Sequence, residues 1–137
     1  MARILAIDYG TKRTGLAVTD PSQIIASPLT GVRTHDIFTF LKDYLAKEDV
    51  EVVVIGWPLQ DDGTDTNNTP HVRTFEKKLR KEFPNLKVAL QDEWSTSKLA
   101  MNSMVQAGTK KKNRRNKLNV DQISATLILR SYLEENS

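Results

Sequence analysis

RILAIDYGTKRTGLAVTD, residues Arg3–Asp20, is the stretch that decides the fold. An apolar run, Ile4-Leu5-Ala6-Ile7, ends on Asp8, and a polar turn, Tyr9-Gly10-Thr11-Lys12-Arg13, leads into a second apolar run, Gly15-Leu16-Ala17-Val18. Two short apolar segments around a glycine-containing turn predict an antiparallel hairpin, with strands over about 3–8 and 14–20. Burying a charge at the end of such a strand is costly unless something compensates it. A cation, a metal ion or a hydrogen-bond network must therefore hold Asp8.

A third strand is expected at roughly Ile24 to Val32, and Pro28 inside it argues for an edge position or a bulge. Short connections make the three strands an antiparallel meander. The period then changes. Ile37, Phe38, Leu41, Tyr44 and Leu45 recur at helical spacing and predict an amphipathic helix over about 36–48. Val50 to Ile55 is β-branched and nearly all apolar, as a strand buried on both faces should be, and it ends at Gly56-Trp57-Pro58.

A polar loop from Gln60 to Asn68 precedes Thr69-Pro70, which has the form of an N-cap with proline at the first helical position. Val72, Phe75, Leu79 and Phe83 mark the inner face of that helix, and Pro84 stops it. Leu86 to Leu90 is a further strand, followed by Gln91-Asp92-Glu93. Ser95 or Thr96 can cap a third helix through about Gln106, closed by Gly108. Beyond a basic loop, Asn119 and Gln122 stand as a capping-box pair and open a last helix to about Leu133. The order β-β-β-α-β-α-β-α-α predicts an α/β fold, one domain with a five-stranded mixed sheet and helices on both faces.

A chain of 137 residues suffices for one domain with a real core. Without cysteines it has neither disulfides nor thiolate metal sites, and a reducing cytoplasm is the expected compartment. The opening residues lack the apolar core of a signal peptide, and no segment approaches a membrane span. The net charge of +3 is modest, but Lys110, Lys111, Lys112, Arg114, Arg115 and Lys117 crowd one stretch. Such a run is either a solvated loop or the footprint of a polyanion.

In open α/β sheets, function gathers where the parallel strands end. Asp8 ends the first strand, Asp92-Glu93 follows the last, and Asp121 stands in the first turn of the final helix. Ser124, Ala125 and Ile128 share its face at i+3, i+4 and i+7, and small residues there allow a close approach to the sheet. Each acid has a plain alternative: Asp121 complements the helix dipole, Asp92 or Glu93 starts a turn, and Asp8 caps its own loop. Together, with no histidine or cysteine nearby, they make an oxygen-rich site suited to magnesium or manganese. One or two such ions can activate water and stabilise a leaving oxygen in phosphodiester cleavage.

The chain resembles the YqgF family, bacterial Holliday-junction-resolvase-like proteins described as pre-16S ribosomal RNA nucleases with an RNase H-like fold. Four motifs in order carry the resemblance: Asp8-Tyr9-Gly10-Thr11-Lys12-Arg13-Thr14-Gly15; Gly56-Trp57-Pro58-Leu59 with Asp62-Gly63; Asp92-Glu93-Trp94-Ser95-Thr96; and Lys117 through Asp121 with Ser124-Ala125. The resemblance implies that Asp8, Glu93 and Asp121 are the catalytic, metal-binding acids. It departs at Trp94, where the family usually has arginine. Phosphate contacts then fall to Lys12, Arg13 or the 110–117 cluster, and Trp94 either packs or stacks on a base. Strand alternation allows only one of Asp92 and Glu93 to point inward. His35 and His71 are expected at the surface, paired with neither an acid nor a serine.

Three functions compete. The first is a metal-dependent endonuclease for structured RNA, namely precursor ribosomal RNA, or for branched DNA. The second is a phosphotransferase, because Asp8 through Gly15 also looks like the first phosphate loop of actin-like ATPases, although the chain is too short for their second loop and duplicated domain. The third is a non-catalytic nucleic-acid-binding module. The sequence is compatible with a monomer or a homodimer.

Overall fold

A computed structural model of the protein describes residues 2–57, 68–92 and 117–136, with the backbone alone at 92 and 117–121. The expected hairpin forms as β1 (Arg3–Tyr9) and β2 (Arg13–Thr19), antiparallel, with Ile7 opposite Leu16 and Asp8 opposite Gly15. Strand β3 (Ala26–Arg33) pairs antiparallel with β2. Its register slips where Leu16 faces Thr30 but Ala17 faces Pro28, leaving Leu29 as the extra residue. Proline has no N–H for the ladder, and β3 is an outer strand, so Pro28 marks both a bulge and an edge.

A 3₁₀ turn at Thr34–Asp36 leads into α1 (Ile37–Lys47), and β4 (Val50–Trp57) then lies parallel to β1. Helix α2 (Thr69–Glu82) connects onward to β5 (Lys87–Asp92), which is parallel to β4. The C-terminal helix, α3, covers Lys117–Glu135. The sheet order is β3-β2-β1-β4-β5, the mixed five-stranded arrangement expected from the sequence. The expected helix between about 95 and 106 lies outside the described residues. No helix among the described residues is long and apolar enough to cross a membrane.

Strand alternation divides the core into two layers. Leu5, Ile7, Leu16, Val18, Val53 and Ile55 meet Ile37 and Leu41 of α1 and Val72, Phe75 and Leu79 of α2. On the opposite face, Ile4, Ala6, Ala17, Val52 and Val54 meet Ala125, Ile128 and Leu129 of α3. Each fully buried leucine or isoleucine contributes about 1.5–3 kcal/mol relative to exposure. The second layer is built of smaller side chains, so α3 sits close to the sheet. Leu133, near its C-terminal end, neighbours Ile4, Val52 and Lys87, where the parallel strands begin. Helix α3 therefore starts at the edge where β1, β4 and β5 end.

Several boundaries differ from expectation for local reasons. Strand β4 continues through Gly56 and Trp57 because these pair with Gln91 and Asp92 of a longer β5. Thr69 does not cap α2; it is buried inside the first turn, and Asn68 precedes it without a side-chain cap bond. The Asn68 amide instead donates to the Tyr9 carbonyl at 2.8 Å, tying the helix start to the end of β1. Helix α3 already includes Lys117 and Asn119, so Asn119 does not open it.

The β2–β3 turn is held by Asp20, whose carboxylate accepts from the N–H groups of Ile25 (2.8 Å), Ile24 (2.9 Å) and Ser22 (3.2 Å). The bond from Ile25 is the largest cause that lowers its pKa below the ordinary 3.8. A depressed folded-state pKa stabilises the fold above the unfolded value and ceases to do so as pH falls through the folded value. An NMR titration should place the Asp20 midpoint below 3.8, and Asp20→Asn should remove that part of the acid sensitivity. A midpoint at or above the ordinary value would contradict the role of the turn.

Candidate functional site

Asp8 is half-buried near the end of β1 and has the parity of Ile4 and Ala6, so it belongs to the face that α3 covers. Its neighbours in the sheet are glycines. Gly15 lies directly opposite it on β2, and Gly31 lies opposite Gly15 on β3. On the other flank, Ile7 pairs with Ile55, and one step further along both strands come Asp8 and Gly56. Gly56 in turn pairs with the buried Gln91. Asp8 thus stands in a row of the sheet where neither adjacent strand contributes a side chain. The row gives its carboxylate lateral room and lets α3 approach.

Asp121 is on α3, seven residues before Ile128, which is about 10 Å along the helix toward the same edge. Asp92 ends β5 opposite Trp57. Of the expected acid triad, only Asp8 has a described side chain. Glu93, together with Lys110, Lys111, Lys112, Arg114 and Arg115, lies outside the described residues. Lys117 is the first residue of α3 and so does not belong to the loop assigned to it from the sequence.

Lys12 and Arg13 occupy an anchored hairpin. The Thr34 N–H donates to the Lys12 carbonyl at 3.0 Å, and the Thr34 hydroxyl donates to the Gly10 carbonyl at 2.6 Å. Thr14, fully buried, shares a hydrogen bond with Thr34 at 3.0 Å between Oγ1 atoms. This clamp fixes the backbone of an exposed lysine and a half-buried arginine at the turn that follows Asp8. Nothing in the sequence distinguished Thr34, because it lies outside every periodic segment.

Gly10 completes the turn. A Cβ there would lie 2.4 Å from the Arg13 carbonyl oxygen, a backbone atom that cannot swing aside. Gly10→Ala should therefore open the hairpin and cost about 1–3 kcal/mol, the usual range for forced overpacking. Urea denaturation measures this, and a variant as stable as the parent would show the turn to be slack.

The α1/α2 side of the edge is aromatic. Tyr9 stacks on Phe75 with ring centroids 4.5 Å apart, and burial raises its phenol pKa above the ordinary value. The Arg73 guanidinium lies over Trp57, 5.5 Å from the ring centroid. Sequence reading missed this pair because the loop between the two residues conceals their proximity. Both histidines are at the surface as expected, but His35 does have an acid neighbour, Asp36, at 3.3 Å. Chemically, the edge combines a half-buried carboxylate flanked by glycines with cations on an anchored turn, which suits a phosphate ester and a hard cation.

Comparison with known proteins agrees with the motif resemblance. A family model described as RuvX, Holliday junction resolvase, matches residues 2–135. A protein of Bacteroides thetaiotaomicron named "Putative pre-16S rRNA nuclease" is 51% identical over 134 residues, covering 98% of this chain and 97% of that protein. One of the same name from Christiangramia forsetii is 50% identical over 135 residues, covering 98% of this chain and all of its own. Among solved structures, T. thermophilus RuvC in complex with Holliday junction substrate aligns over 98% of this chain and 95% of its own, with a TM-score of 0.59 and 17% identity. That likeness is one of fold, and the fold is the RNase H-like one expected from the sequence.

Proposed function

The chain belongs to the RuvX family, the YqgF family of the motif reading, and from that premise we propose that it is a metal-dependent endonuclease that matures the 5′ end of precursor 16S ribosomal RNA. One observation carries the proposal. Asp8 stands at the end of β1, flanked by glycines, on the face whose covering helix brings Asp121 toward the same edge.

The catalytic acids are Asp8, Glu93 and Asp121. On β5, Val88 joins the α1/α2 layer and Ala89 the α3 layer. Position 93 has the parity of Ala89, which supports Glu93 rather than Asp92 as the partner of Asp8. A set of carboxylate oxygens fits one or two ions of magnesium or manganese, which favour oxygen ligands. Such ions, when bound, supply an activated water and stabilise the leaving oxygen. The chain itself does the rest. Asp8 fixes one corner of the site from a rigid strand, and α3 sets the position of Asp121. Lys12 and Arg13, held by the Thr34 clamp, orient the phosphodiester and offset its charge, with the 110–117 cluster as a further contact.

The relatives' name supports RNA, and the family's description supports the second reading, cleavage of branched DNA at the same site. Incubating precursor ribosomal RNA and junction DNA with manganese or magnesium, using the parent and Asp8→Asn, separates them. Cleavage of neither substrate would sink the nuclease reading in favour of a binding module. A junction resolvase needs two sites, so a protein that is monomeric in solution would favour the RNA. The expected compartment is the cytoplasm.

A further inference from the structure

Helix α2 carries five basic side chains against two acidic ones, an excess as large as the net charge of the whole chain, +3. Its inner face is Val72, Phe75 and Leu79. Arg73, Lys77 and Lys81 follow one another at i, i+4 and i+8 and are all exposed, forming a stripe on the side opposite that inner face. The other two cations have local partners, as Arg73 has in the Trp57 ring. Arg80 pairs with Glu76 at 2.8 Å, and Lys78 lies over the Phe38 ring at 4.6 Å. No carboxylate among the described residues forms an ion pair with Lys77 or Lys81.

The stripe begins at the functional edge. Asn68 ties the start of α2 to the end of β1, and Arg73 sits over Trp57 at the end of β4. Successive members of the stripe are about 6 Å apart along the helix, so it leads away from the edge for about 12 Å. It does so on the face of the sheet opposite α3, whereas Asp8 faces α3.

We propose that Arg73, Lys77 and Lys81 form a second phosphate-binding track, which holds a nucleic-acid arm on the α2 side while the scissile strand lies at Asp8. The inference rests on the nuclease reading and adds to it a contact surface, on α2, for a second arm of a substrate that straddles the sheet edge. A single straight duplex cannot lie on both faces of the sheet together. Three charges spaced along a helix contact a sugar–phosphate backbone without reading its bases. Affinity for two-armed substrates should therefore be salt-dependent and independent of sequence.

The test is binding in EDTA, where no cleavage complicates the measurement. The probes are a two-armed RNA junction, a linear RNA hairpin matching one arm, and DNA equivalents of both. Arg73→Gln/Lys77→Gln/Lys81→Gln should bind the two-armed probes about tenfold more weakly, with the slope of log affinity against log salt reduced by about 2 to 3. The linear hairpin should lose much less. Lys77→Arg/Lys81→Arg should bind as the parent does. A control, Lys42→Gln/Lys47→Gln/Lys87→Gln, removes equal charge from exposed positions elsewhere.

An unchanged slope, an equal loss in the control, or an equal loss on the linear probe would each overturn the track. The RNA and DNA arms identify which polyanion it prefers. Failure of cleavage in metal would overturn the nuclease reading alone, because this assay reads affinity and requires no turnover.

Discussion

Asp8→Asn is expected to lower metal-dependent cleavage by about 10³-fold or more while leaving nucleic-acid affinity at least as strong. Losing a ligand that places a hard cation removes several kcal/mol of transition-state stabilisation, and each 1.4 kcal/mol is about a factor of ten. The substitution is nearly isosteric. Gly15 and Gly56 flank it in the sheet, so the row itself leaves room for the amide. A thermal midpoint measured beside cleavage reports whether the fold survives the substitution. Affinity should hold because a negative charge leaves the neighbourhood of Lys12 and Arg13. Two readouts moving apart is the decisive signature. Cleavage within about tenfold of the parent would show that Asp8 is structural, and equal loss of binding and cleavage would mean that the variant had unfolded or lost its hairpin.

Much of this was legible in the sequence because it is written in short-range pattern. The β1–β2 hairpin, the edge character of β3 at Pro28, the amphipathic α1 and the doubly buried β4 each follow from periodicity or from a single backbone restriction. Asp8 could be singled out because a charge closing an apolar run violates that pattern. What stayed hidden depends on register. Gly15, Gly31 and Gly56 are unremarkable until pairing aligns them with Asp8 in one row. The Thr34 clamp and the Asn68 bond to Tyr9 join residues 24 and 59 positions apart, beyond any local signal. The basic stripe of α2 was diluted in sequence by Glu76 and Glu82, and only the helix turns its cations outward together.

Ala125→Leu should impair cleavage by about 10²-fold in a protein that remains folded. Ala125 is completely buried between α3 and the sheet, in a layer with Ala6 and Ala17. An isobutyl group has no room there, and overpacking costs about 1–3 kcal/mol, within the total of about 5–15 kcal/mol of an ordinary domain. Relief comes from lifting or tilting α3, because β1 and β2 beneath Ala125 are fixed by ladders on both sides and by the α1/α2 layer behind them. Asp121 rides on that helix one turn away, so the strain becomes a displacement relative to Asp8. A displacement of 1 Å at a catalytic constellation can cost about 10²-fold. Ile37→Val supplies the matched comparison: it removes a buried methylene from the opposite layer and costs about 0.5–1.5 kcal/mol without touching α3. Its cleavage per folded molecule should equal the parent's. If both variants lose activity in proportion to stability, α3 is a passive cover, and the spacing between the first strand and the last helix does not set the rate.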